Sequence, residues 1–165
     1  MLAEIAEGLK LVHALVGVLF VAGLIGRWIT LGYAARITEL GSFRLVLALS
    51  ARFERIVIGT SLFVLMLGLL TAVAQGRPFL GPIQGAPVDW LFASLVIYLS
   101  VSFLVPMVFL PRRRDFDEAL QEAVRQGEMT ERLRATFRDP VVFAGRAYEL
   151  GAMVIVLILM IAKPF

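Results

Sequence analysis

Cysteine is absent from this 165-residue chain, and histidine occurs once. The first absence excludes disulfides, thiolate metal sites and cysteine nucleophiles. The second leaves a catalytic zinc centre, which normally takes three protein ligands, without its donors. Nor is there a glycine-rich phosphate loop, a nucleophile elbow or a pair of catalytic carboxylates. Charge is missing over long stretches too. Leu11–Gly26, Ile56–Gly76 and Trp90–Pro111 hold no Asp, Glu, Lys or Arg, and Pro140–Ala162 holds only Arg146 and Glu149.

Runs of about 20 apolar residues are what an α-helix needs to cross a bilayer core roughly 30 Å thick. A composition of 59% hydrophobic residues is more than a soluble domain of this size can cover, whereas lipid accepts it. The expected fold is all-α: a four-transmembrane-helix antiparallel bundle with short cytoplasmic helices. It forms one membrane domain over residues 1–165, with spans near 7–27, 55–75, 90–110 and 141–162. The first run reads as a retained helix. Glu4 and Glu7 precede it beside Lys10, and Gly23–Gly26 runs into Arg27 and Trp28 without a small-x-small cleavage site.

The net charge of +3 is arranged by topology, which favours membrane lipid over nucleic acid as the partner. Arg27, Arg36, Arg44, Arg52 and Arg55 lie between the first and second runs. Seven arginines, from Arg112 to Arg138, lie between the third and fourth. The middle connector has only Arg77, and Lys10 and Lys163 stand alone near the ends. The positive-inside rule then puts both arginine-rich connectors in the cytoplasm and both termini outside it.

Helix ends are readable. Asp139-Pro140 is an N-cap and first-turn pair for the fourth span. Gly41-Ser42 interrupts the first connector, so the first two spans project beyond the membrane as a hairpin or bend along its surface. Asp115-x-x-Glu118 is a capping-box pattern, opening a short amphipathic helix with Phe116, Leu120 and Val124 on one face and Gly127 at its end. Thr130 caps a second piece carrying Leu133 and Phe137. Both pieces read as a cap folded back on the bundle, with a partner-docking surface as the alternative. Pro106 frees the carbonyl of Ser102 and kinks the inner half of the third span. Small-xxx-small pairs at Ala22/Gly26, Gly68/Ala72 and Ala147/Gly151 suit close helix packing.

Three polar residues lie inside the runs: His13, Arg146 and Glu149. Ionisable groups in spans usually face the protein interior. Helical rise puts His13 about 9 Å below the outer surface, and Arg146 and Glu149 about 9 and 13 Å inside the inner one. Glu149 needs a partner, either Arg146 three residues away or Arg27 or Arg55 from neighbouring helices. An interhelical ion pair is the structural reading, and a proton- or cation-carrying carboxylate the functional one. A His13–Tyr98 hydrogen bond would satisfy both of those groups. Haem ligation by His13, alone or with Met153, is the alternative. One histidine per chain means that a two-histidine haem would need a dimer.

The segment Leu9-Lys10-Leu11-Val12-His13-Ala14-Leu15-Val16-Gly17, followed by Gly23, resembles the first span of the CopD-like bacterial membrane proteins, which include the HemJ-type protoporphyrinogen oxidases. With Trp90, Pro111-Arg112-Arg113-Arg114 and the ending Met160-Ile161-Ala162-Lys163-Pro164, the chain resembles an uncharacterised bacterial family of predicted four-span integral membrane proteins in or near that group. The HemJ-type resemblance implies a first-span histidine, matched by His13, and a third-span lysine, which Trp90–Leu110 lacks. That departure counts against the oxidase activity. Copper transport, which the CopD name suggests, would want clustered histidine or methionine ligands, and the six methionines are scattered.

A non-enzymatic structural or accessory component of the bacterial inner membrane is therefore the first expectation, with a homodimer or a larger membrane complex compatible. A haem-binding redox protein using His13 (less readily a metal protein) comes second. A small transporter or channel built on Glu149 comes third.

Overall fold

The computed structural model describes residues 2–164 and builds them from helices. Helices α1 (Leu2–Ala34) and α2 (Leu40–Ala74) form an antiparallel hairpin. A loop with one 3-10 turn at Gly81–Gln84 leads to α3 (Trp90–Ser102), which passes through a π-helical turn, Val105–Phe109, into α4 (Leu110–Gln126). Then come α5 (Glu131–Phe137) and α6 (Pro140–Ala162). Four helical stretches are long and apolar enough to cross a membrane: Glu4–Ala34, Leu40–Ala74, Trp90–Gln126 and Glu131–Ala162. Leu15, Leu19, Ile58, Leu62 and Phe63 are each more than half exposed, forming an apolar coat that suits lipid and not water.

The first turn departs from the sequence expectation. Gly41-Ser42 does not interrupt the connector, because Glu39 reaches over it. The Glu39 carboxylate accepts from the N–H groups of Gly41 and Ser42, both at 2.6 Å, and so caps α2 from outside. The chain reverses at residues 35–39 instead. The capping box at Asp115 is also absent. The third span continues as helix through Arg112–Arg114, so Asp115 lies inside α4 with no free helix start to cap. Gly127, at φ 76°, ends that helix in the left-handed region that glycine enters without penalty. Thr130 caps α5 through Leu133 N–H at 3.2 Å, and Asp139 caps α6 through Val141 N–H at 2.7 Å. Pro106 falls within the π-helical turn, where the regular bonding it would break is already given up.

Side-chain contacts fix the register. Gly26 lies under the ring of Phe53, Gly23 under Val57, and Gly68 under the imidazole of His13. At Gly26 an added Cβ would stand 2.4 Å from the Phe53 ring, so that ring would have to shift to admit one. Ala72 is buried as well, whereas Ala147 and Gly151 face outward, with open space beyond Gly151. The third small-residue pair therefore does not serve packing inside the bundle. Between α3 and α6 the Ser100 and Tyr148 hydroxyls meet at 2.7 Å, and Phe109 covers Gly145.

Two apolar cores result. One lies among the spans, around Phe20, Leu24, Val57, Val101, Ala152 and Met153. The other lies at the arginine-rich end, where Leu133, Ala119 and Ala123 close on Ala34 and Phe43. Phe137 packs edge-on to Phe43 at 5.0 Å, so α4 and α5 are folded onto the projecting α1–α2 hairpin. At the opposite end, Arg77 and Lys163 both lie over the Trp90 ring, at 5.6 and 5.4 Å. The charge-free layer on α1, from Lys10 to Arg27, is about 25 Å deep at 1.5 Å per residue.

Candidate functional site

Arginine 27 stands one residue past the apolar run of α1, and Glu54 two residues before that of α2. Folding the hairpin antiparallel brings the two run ends to the same level. Arg27 Nη1 donates to Glu54 Oε2 at 2.6 Å, and Arg27 Nη2 donates to Glu149 Oε2 on α6. The side chains of Arg27 and Glu149 are both 8% exposed, against 38% for Glu54. Arg146, one turn before Glu149, stands close enough to feel all three charges. It makes no ion pair or hydrogen bond among the described residues. Two guanidinium groups and two carboxylates thus form a neutral cluster joining three spans.

Of the three partners expected for Glu149, the structure selects Arg27. Glu149 does not pair with Arg146 on its own helix, because Arg27 reaches it across the α1–α6 interface. Arg55 points to the outer face of α2 and, among the described residues, bonds only the Ala51 carbonyl, through Nε at 3.4 Å. Glu54 is the member that sequence reading missed. Its signal was present: matching the ends of two apolar runs in an antiparallel hairpin puts Arg27 opposite it. The geometry lets the cluster clamp helices together and satisfy buried charge. Both Arg27–carboxylate bonds are of the charge-assisted kind, roughly twice the strength of neutral ones.

The other candidates lie elsewhere. Tyr98 does not bond His13, because its hydroxyl donates to the Ser61 carbonyl at 2.6 Å. His13 packs on Gly68, and its Nδ1 is buried without a hydrogen-bond partner among the described residues. Met153 belongs to the central core beside Phe20 and Leu24. The Arg27–Glu149 bond sets the two helices in register. His13 is 14 residues from Arg27, and Met153 only four from Glu149, both toward the far end. Helical rise therefore separates them by about 15 Å along the bundle. That gap does not fit two axial ligands on one haem iron.

Four apolar helices able to cross a bilayer, three of them tied by charges that pair within the protein, define a multi-pass α-helical integral membrane protein. Residues 7–164 match the family described as predicted integral membrane protein (DUF2269), and the chain belongs to that family. No curated protein and no solved structure matches it.

Proposed function

We propose that this protein is a non-enzymatic structural or accessory component of a bacterial inner membrane, with its arginine-rich end in the cytoplasm and both termini outside. The observation that carries this reading is the occupancy of Glu149. Its carboxylate is buried and already bonded to Arg27, which suits a fixed clamp better than a group that must bind and release a proton or cation. Kinship with the CopD-like proteins belongs to the same proposal and rests on the first-span pattern around His13. Association with a second copy or another membrane protein would use the outward Ala147 and Gly151, where a helix can approach closely.

Absorption spectroscopy and ion flux test this reading together. The purified protein is expected to lack a Soret band, and proteoliposomes carrying it are expected to leak protons no faster than protein-free vesicles. A Soret band lost in His13→Ala would replace the structural role with a haem protein. A proton flux abolished in Glu149→Gln would replace it with a transporter.

A further inference from the structure

At the arginine-rich end a cavity of about 80 Å³ lies between the α1–α2 turn and α5. Arg36, Arg134 and Arg138 line it on the polar side, and Phe43, Met129 and Phe137 on the apolar side. None of the three arginines has a carboxylate within ion-pair distance among the described residues. Glu118 and Glu122 bind Arg132 at 3.3 and 2.9 Å, Asp139 binds Arg112 at 3.0 Å, and Glu39 is held on the α2 backbone, whereas Glu128 and Glu131 make no ion pair among the described residues. Arg134 Nε is buried with no hydrogen-bond partner among the described residues. Arg138 uses one N–H, on the Ala35 carbonyl at 3.0 Å.

From these observations we infer that the cavity is a binding site for a phosphate-type oxyanion. A guanidinium N–H buried without an acceptor carries a desolvation cost that an anionic oxygen removes. Arginine's planar fork matches phosphate oxygens, and three unneutralised guanidiniums leave charge for a dianion. The space well exceeds the roughly 10–15 Å³ that one water needs. Ala34, on the cavity wall, lies about 10 Å beyond Arg27 along α1, at headgroup level. The phosphate is thus either free in solution or the phosphodiester of an anionic lipid. The inference is independent of the structural role proposed for the ionic cluster.

Two arms of one experiment separate the sources. Delipidated protein in uncharged detergent is titrated calorimetrically with inorganic phosphate, with chloride holding ionic strength constant. The same protein is then melted in phosphatidylcholine nanodiscs with and without phosphatidylglycerol. Heat of phosphate binding, weakened about tenfold or more in Arg134→Gln and Arg138→Gln but kept in Arg132→Gln, supports free phosphate. Silence toward phosphate, with a phosphatidylglycerol-dependent rise in the melting midpoint that Arg134→Gln loses and Arg132→Gln keeps, supports the lipid headgroup. No response in either arm, or equal loss in Arg132→Gln and Arg134→Gln, overturns the site. Should Arg134→Gln lose its helical circular dichroism, Arg36→Gln takes its place in both arms.

Discussion

At Arg27 one guanidinium serves two carboxylates in surroundings that hold little water. Removing one partner of such a buried pair costs roughly 3–5 kcal/mol, because the other charge is left uncompensated, whereas replacing both with apolar groups is often neutral. Arg27→Leu, which strips both carboxylates of their bonded guanidinium, is expected to lower the melting midpoint in detergent sharply, and Glu149→Leu, which leaves Arg27 its bond to Glu54, to lower it less. The double variant should recover most of that loss, giving a large coupling energy in the cycle. Additive losses would mean that the pair does not act as a unit. Glu39 offers a second check. Its hydrogen bonds to Ser42 and to the Gly41 N–H hold its carboxyl below the usual carboxylate value. A depressed value contributes stability that is complete above the unfolded value, near 4.3, and is lost as pH falls through the folded one. Acid should therefore loosen the α1–α2 turn below about pH 4. Hydrogen exchange of the Gly41 and Ser42 amides would report it, and Glu39→Gln should flatten that dependence.

Among the elements, the α1–α2 hairpin depends on glycine at the contact with Phe53. Gly26→Ala is expected to cost about 1–3 kcal/mol through overpacking against that ring. Gly151→Ala, which meets nothing within 4 Å, should be close to neutral. Equal midpoints for the two variants would refute close packing at Gly26. The four long apolar helices were readable because freedom from charge is a property of contiguous residues. Thr130 and Asp139 were readable as caps because a cap needs only local chemistry. The Glu39 cap was not, since a glutamate seldom does this and the glycine after it imitated a break. Nor was the interior position of Asp115, because helix α4 inherits its start from the third span and so needs no capping box. The charge cluster was half legible: Glu149 announced the need for a partner. Choosing Arg27 over Arg146 and Arg55, and adding Glu54, required knowing which helix faces meet. The same ignorance of register let Met153 stand as a second haem ligand beside His13.

For the molecule as a whole, orientation is the property most open to direct measurement, and the natural absence of cysteine makes the background clean. Ile83→Cys, in the exposed far-end loop, should react with a membrane-impermeant maleimide in intact spheroplasts. Gln121→Cys, on the outer face of α4, should react only after lysis. The reverse pattern would invert the proposed topology. A layer only about 25 Å deep between Lys10 and Arg27 is shallower than the roughly 30 Å hydrocarbon thickness of an average bilayer. Lys10 therefore snorkels outward to the headgroups, or lipid around the first span compresses, with shorter or more disordered acyl chains gathering there. Each ångström of that hydrophobic mismatch carries a modest penalty. Clustering several copies would let them share one thinned annulus, and lateral sorting toward thin membrane patches follows from the same mechanics.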